Sequence, residues 1–132
     1  MRENLDPFEE HSDSEVWDAL ALVQLESLIE EFEFKLNQPI EEGATVFSVG
    51  QKQLICLARA VLRKNRILVM DEATANVDMK TDALIQKIIK KQFAGCTVVT
   101  VAHRLDTIID SDRVLVLSNG RVKEFGRPHE LL

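Results

Sequence analysis

No glycine in this chain begins the pattern G-x-x-x-x-G-K-[ST], although the sequence has five of them, so a loop of the kind that cradles nucleotide phosphates is missing. Tyrosine is absent, and cysteine occurs only at Cys56 and Cys96, without the C-x-x-C spacing of zinc sites. We therefore expect neither a disulfide framework nor a zinc site, but two reduced and buried thiols, as in a cytosolic protein.

Long apolar runs are missing as well, since none approaches the ~20 residues that cross a bilayer. Acidic residues follow Arg2, where a signal peptide would have an apolar stretch. We expect any membrane span that serves this protein to lie elsewhere. An apolar content of 45% excludes a disordered composition, and 132 residues suit one domain with a modest core.

The net charge of −6 is spread unevenly along the chain. Residues 1–42 hold 13 of the 22 acidic and 2 of the 16 basic side chains, which leaves 9 acidic and 14 basic side chains for residues 43–132. The acidic third argues against a nucleic-acid surface, and we predict no nucleic-acid partner. The basic excess in the remainder suits a phosphate ligand, although solvated helix faces account for most such charges.

Helix and strand patterns alternate along the chain. An extended start around Pro7 precedes Ser12-x-x-Glu15, a capping box that predicts a helix from about Asp13. Apolar spacing predicts further helices over residues 28–32, 48–63 and 81–93. It predicts strands over Ile67–Met70, a wholly apolar run typical of a strand covered on both faces, and over Thr97–Val101. Strand, helix, strand in this order favours a parallel pair, and Ser118-Asn119-Gly120 predicts a hairpin.

Two acidic residues, Asp71 and Glu72, follow the first strand. Ligands of α/β sheets bind at the carboxyl ends of such strands, where Asp71 could hold Mg²⁺ and Glu72 could take a proton from an attacking water. An ordinary turn cap by Asp71 explains four apolar residues and an acidic pair equally well.

The run Ser48-Val49-Gly50-Gln51 begins the long helix, where a hydroxyl, free N–H groups and the positive dipole end favour an anion. Gly50 would allow a phosphate to approach the backbone. Taken alone, an ordinary serine cap with an incidental glycine explains this run better. His103 follows the second strand, and a lone histidine there is more often structural than a ligand contact.

Taken together, these pieces resemble ATP-binding-cassette (ABC) transporters. Four segments match the family's motifs in its order: Phe47–Gln51 resembles the signature usually written L-S-G-G-Q, Ile67–Glu72 the Walker B strand, Ala75–Asp78 the D-loop and His103 the switch histidine. The flanking segments Asn4–Phe8 and Asp71–Asp78 are most similar to the second nucleotide-binding domain of subfamily C, the multidrug-resistance-associated transporters.

The resemblance implies an α/β chain with a partial P-loop NTPase (ABC ATPase) fold, without the Walker A half. Residues 1–65 would form the helical subdomain with the signature helix. Residues 66–132 would form the C-terminal half of the catalytic core, with the later strands of its parallel sheet, the switch histidine and the terminal hairpin. Phe47 and Val49 depart from the usual signature, in which leucine and glycine stand at these places.

The resemblance also implies ATP and Mg²⁺ as cofactors. Asp71 would support the metal, Glu72 would polarise the hydrolytic water and His103 would contact the γ-phosphate. The nucleotide-contacting set would lie on the signature and the D-loop: Ser48, Val49, Gly50, Gln51 and Asp78. The signature residues would meet a nucleotide held by the opposing nucleotide-binding domain, and Asp78 would communicate across that interface.

These roles lead to three functional hypotheses. In the first, the chain is part of the ATPase of a membrane exporter. Its partners are ATP, the opposing nucleotide-binding domain and the transmembrane domains of the same transporter, and that parent protein holds it at the cytoplasmic face of the membrane. The second is a non-catalytic piece that acts at most as a dimerisation or nucleotide-contacting module. The third, a chromosome-maintenance or DNA-repair ATPase, ranks low because no coiled-coil heptads precede Ser48.

Overall fold

A computed structural model describes residues 1–41, 46–71, 77–102 and 105–131 of the chain. These residues form two compact units, Met1–Val99 and Thr100–Leu132. Among the described residues, no helix combines the length and the apolar character that crossing a bilayer requires.

The described residues of the first unit form five α-helices, the strand β1 and the start of the strand β2. In chain order these elements are α1 (Arg2–Leu5), α2 (Asp13–Leu22), α3 (Glu26–Glu30), a 3₁₀ turn (Lys35–Asn37), α4 (Val49–Arg63), β1 (Ile67–Asp71), α5 (Met79–Gln92) and β2 (Thr97–Val101), whose last two residues belong to the second unit. The expected extended start is wrong, because α1 forms there. Its Leu5 is buried in the core and its Asn4 accepts hydrogen bonds from Arg59, so contacts distant in sequence stabilise a helix that local pattern does not predict.

Capping boxes begin the two helices that the sequence marks most clearly. The Glu15 backbone N–H donates to Ser12 Oγ at 3.3 Å, and the Ser12 N–H donates to Glu15 Oε2 at 3.0 Å, so α2 begins at Asp13 as predicted. The start of α4 at Val49, after Ser48, is confirmed in the same way. This helix ends at Arg63 because Lys64 adopts a left-handed φ of 50°.

The hydrophobic core of the first unit lies among its helices. Its fully buried centre consists of Val16 and Leu20 of α2 with Val23 and Ile29. The apolar stripe of α4 packs against α2, and that of α5 packs against α4; the buried residues of these stripes are Leu54, Ile55, Leu57, Ala58, Leu62, Ile85, Ile88 and Ile89. The apolar residues of α4 and α5 thus recur at helical spacing on the faces that pack into the core.

The strand β1, which pairs with β2, has one open apolar face. Leu68 and Met70 of β1 pack against the helical core, whereas Ile67 and Val69 are 63% and 68% exposed. The expectation that this strand is covered on both faces is thus wrong for the described part of the chain. An apolar run indicates a preference for burial, but packing on each face depends on which segments reach it. The parallel orientation of the pair stays a prediction.

The second unit contains a hairpin of β3 (Val114–Ser118) and β4 (Arg121–Gly126), together with two short helices, α6 (Leu105–Ile109) and α7 (Pro128–Leu131). The strands are antiparallel, with Leu115 opposite Phe125 and Leu117 opposite Val122. Asn119 and Gly120 both have positive φ, 50° and 71°, as a two-residue hairpin turn of the I′ type requires. The predicted hairpin is therefore confirmed.

The two cysteines are free, but they differ in environment. Cys56 is exposed, so the expectation of two buried thiols is wrong for this residue. The helical period explains the error, since Cys56 falls between the buried positions of α4. Cys96 is half-buried, and its thiol donates to the carbonyl oxygen of Asn65 at 3.4 Å.

Candidate functional site

The first turn of α4 is organised by a reciprocal pair of hydrogen bonds. The Gln51 backbone N–H donates to Ser48 Oγ at 3.2 Å, and the Ser48 N–H donates to Gln51 Oε1 at 2.8 Å. A serine hydroxyl that accepts one hydrogen bond still has its own proton to donate, and a glutamine whose oxygen accepts one keeps its NH₂ group. Both side chains are thus oriented, yet each retains donors for an anion.

The residues of this turn face different surroundings. Phe47, just before the turn, is buried, and its ring contacts the Phe32 ring edge-on with centroids 5.9 Å apart. Ser48 is exposed and Val49 is 53% exposed, whereas Gly50 is buried. Ser48 and Val49 at the start of the helix therefore face outward, while Phe47 and Gly50 pack against the rest of the unit.

Asp78 caps the first turn of α5. Its Oδ1 accepts hydrogen bonds from the N–H groups of Lys80 at 3.0 Å and Thr81 at 3.1 Å, and its Oδ2 accepts one from the Thr81 hydroxyl at 2.7 Å. The Thr81 hydroxyl first, and then the Thr81 N–H, hold the pKa of the Asp78 carboxyl below its usual value, against the opposing effect of burial. Asp78 is therefore a fixed and ionised carboxylate at neutral pH.

Asp71 lies at the carboxyl end of β1 and is exposed. It lines a cleft of about 200 Å³ between β1 and the side of α4, together with Met70 from its own strand and Gln53 and Cys56 from α4. The side-chain oxygens of Asp71 and Gln53, which line this cleft, are of the kind that a hard cation such as Mg²⁺ prefers. The structure thus brings the end of β1 and the first half of α4 to one cleft.

Glu72 and His103, the two predicted catalytic residues, lie outside the described residues. Their roles therefore stay predictions. Of the other predicted site residues, Ser48, Val49, Gly50 and Gln51 share the first turn of α4, Asp78 caps the neighbouring α5, and Asp71 lies on the cleft.

Comparison with known proteins gives the family of the chain. The family model described as "ABC transporter" matches residues 1–75, which is more than half of the sequence. The chain belongs to the ABC transporter family. Members of this family have an ATP-binding domain of the P-loop NTPase fold and generally bind ATP with Mg²⁺, so the coarse prediction of fold and cofactors agrees with the match.

Relatives place this family member in subfamily C, as its motifs predict. Over all 132 residues it is 60% identical to "ATP-binding cassette sub-family C member 4" of Homo sapiens. It is also 60% identical to "Probable multidrug resistance-associated protein lethal(2)03659" of Drosophila melanogaster, and 55% identical to "ABC transporter C family member 5" of Arabidopsis thaliana. The whole chain is covered in each case, but it spans only 9–10% of the relatives' length.

Thr81 is the residue of this site that the sequence did not single out. Its hydroxyl and its backbone N–H both donate to Asp78, and its side chain faces Gly50 of α4. The spacing Asp78-x-x-Thr81, an aspartate cap followed by a hydroxyl residue in the first turn, is the local signal that could have identified it.

Proposed function

We propose that these 132 residues are the later part of the second nucleotide-binding domain of a subfamily C exporter, which couples ATP hydrolysis to transmembrane transport. Residues 1–65 serve as the helical subdomain with the signature helix, and residues 66–132 as the C-terminal half of the catalytic core. ATP, an opposing nucleotide-binding domain and the transmembrane domains of the same transporter are its partners, at the cytoplasmic face of a membrane.

The observation that carries this proposal is the first turn of α4. The first intrahelical bond runs from the Lys52 N–H to the Ser48 carbonyl at 3.0 Å, so the N–H groups of Val49 and Gly50 precede it. These groups, the spare proton of Ser48 and the spare NH₂ group of Gln51 form a donor set at a positive helix end. Such a set suits the γ-phosphate of a nucleotide held by the opposing domain.

The chemistry at the other side of the phosphate is assigned to Asp71, Glu72 and His103. When bound, Mg²⁺ would supply positive charge that neutralises the negative charge developing on the transferred phosphoryl group. Asp71 holds the ion, Glu72 orients and polarises the attacking water, and His103 contacts the γ-phosphate. Asp78, fixed in its ionised form, meets the opposing domain.

Glu72→Gln in a full-length transporter that carries these residues tests the assignment. The amide keeps the size of the side chain but cannot accept the proton, so ATP turnover should fall roughly 100-fold or more, while ATP binding is retained. Glu124→Gln is the matched control, because Glu124 is an exposed acid on β4. Equal turnover in the Glu72→Gln protein and its parent would contradict the proposal.

A second candidate function is a non-catalytic module that offers its signature turn to a nucleotide held elsewhere. It is supported by the sequence, in which no G-x-x-x-x-G-K-[ST] loop supplies the lysine and N–H nest that anchor ATP. Calorimetry and a turnover assay of residues 1–132 with Mg²⁺–ATP test this candidate. We expect no micromolar binding and no steady turnover from these residues alone, and the observation of both would exclude the module.

A further inference from the structure

Gly50 lies closer to α5 than any other residue type would comfortably allow. A Cβ atom placed on Gly50 would stand 3.1 Å from the methyl carbon Cγ2 of Thr81, and 3.5 Å from both the hydroxyl oxygen of Thr81 and Cγ1 of Val77. The first of these distances is tighter than most real Cβ contacts, so an alanine here would have to displace Thr81. Glycine has a lower helix propensity than alanine, so this close approach accounts for a residue that helix propensity disfavours.

Thr81 contacts both functional groups. Its hydroxyl and its backbone N–H hold the two oxygens of Asp78, and the same side chain faces Gly50, with its methyl carbon nearer than its hydroxyl oxygen. The side chain is β-branched and turns about a single torsion, so the methyl cannot move without moving the hydroxyl as well. A displacement of the α4 tip is therefore transmitted to the carboxylate that caps α5.

We propose that Thr81 is a positioning residue that couples the signature turn Ser48–Gln51 to the D-loop carboxylate of Asp78. This inference rests on the proposed function, in which both groups meet the opposing domain. Phosphoryl transfer depends on placement, and a displacement of about 1 Å can cost a hundred-fold in rate. Thr81 makes the two groups move together, so that one cannot reach the interface while the other is displaced.

The competing explanation is that Thr81 only stabilises the start of α5. Under that explanation, loss of its hydroxyl lowers the melting temperature but leaves the turnover of each folded molecule unchanged. Under the coupling proposal, the same loss lowers kcat, while KM for ATP changes little, because bound nucleotide is then misaligned with the catalytic groups. The split between kcat and KM therefore separates the two explanations.

Four variants of a full-length transporter that carries these residues test the coupling. Thr81→Val keeps the branched shape and removes the hydroxyl, and we expect kcat to fall roughly ten-fold with KM within about two-fold of the parent. Thr81→Ser keeps the hydroxyl and should retain at least about half of the parent kcat. Gly50→Ala should lower kcat by roughly ten-fold or more, and the double variant Gly50→Ala/Thr81→Ser, which removes the opposing methyl, should recover most of that loss.

Gly95→Ala is the matched glycine control, since a Cβ at Gly95 meets nothing within 4 Å, and we expect parental turnover from it. A double variant as impaired as Gly50→Ala would overturn the coupling, because Gly50 would then be required for something other than the room that Thr81 takes. Parental kcat in Thr81→Val would overturn it as well. If Gly50→Ala does not fold, the comparison of kcat between Thr81→Val and Thr81→Ser tests the coupling by itself.

Either negative result leaves the proposed function standing, because that function is tested separately by Glu72→Gln. Parental turnover in Glu72→Gln would instead remove the function on which the coupling rests. The melting temperature of every variant, measured alongside turnover, separates loss of fold from loss of coupling.

Discussion

The guanidinium group of Arg59 binds both oxygens of Asn4, a residue 55 positions earlier. Its Nε donates to the Asn4 carbonyl oxygen, and its Nη2 donates to the side-chain oxygen at 2.9 Å. The pair connects α1 to α4, the helix whose first turn contains Val49, Gly50 and Gln51.

Arg59→Lys should destabilise the first unit. A lysine keeps the charge but cannot direct two N–H groups in the fixed geometry of a guanidinium, so we expect a loss of about 1 kcal/mol of unfolding free energy. Urea unfolding of residues 1–132 measures the difference. Arg63→Lys, at an exposed position one helical turn later, is the control and should change stability by less than about 0.5 kcal/mol. Equal effects of the two variants would contradict this role of Arg59.

Asp6→Asn should lower stability in a manner that depends on pH. Burial raises the pKa of the Asp6 carboxyl, but the backbone N–H groups of His11 and Glu10, with the charges of His11 and Arg2, outweigh it and lower the pKa. A carboxyl with a lowered pKa in the folded state stabilises the fold at pH values above its unfolded pKa of about 4. This contribution is lost as the pH falls through the lower folded value.

The measurement for Asp6 is the difference in urea midpoint between the parent chain and Asp6→Asn, taken from pH 7 down to pH 2. We expect a constant difference above about pH 5 that shrinks below pH 4. Glu9→Gln, at an exposed neighbouring acid, is the matched control. A difference that grows as the pH falls would show that the sign of the pKa shift is wrong.

Ser48→Ala and Ser12→Ala remove equivalent helix caps, at α4 and at α2. Each should cost about 1 kcal/mol of stability, because the N–H of the third helical residue loses its acceptor. Only Ser48→Ala should also lower the ATP turnover of a full-length transporter that carries the chain, since only Ser48 is assigned to the phosphate. Equal turnover in the two variants would argue that Ser48 is a cap and nothing more.

Val69→Lys should reduce self-association of the chain with little effect on its stability. Val69 is 68% exposed on the open face of β1, where apolar side chains favour contacts between molecules. Leu68→Ala is the contrasting variant, because Leu68 packs against the core, and its loss should cost about 1 to 2 kcal/mol. Light scattering against concentration and urea unfolding measure the two effects.

Residues close in sequence account for what could be predicted. Ser12 with Glu15 and Ser48 with Gln51 fix helix starts within one turn, and Asn119-Gly120 fixes the hairpin, so these elements follow from local chemistry. Four motifs in the order of a known family account for the identification.

Contacts between distant residues account for what could not be predicted. The four-residue helix α1 is too short to show a period, and the Arg59–Asn4 pair that supports it spans most of the first unit. The contact of Gly50 with Thr81 depends on how α4 and α5 pack, which no local pattern encodes. The open face of β1 escaped prediction for the same reason.

The exposure of Val49 has a consequence for how this position varies. Its side chain points away from the core, so many residues here would satisfy the fold equally well, including the glycine of the usual signature. Substitutions at position 49 that leave folding intact but abolish transport would mean that the residue is constrained by a surface outside this chain that contacts it. A deep mutational scan of position 49, scored by both assays, would then show which side-chain sizes and charges that external surface accepts.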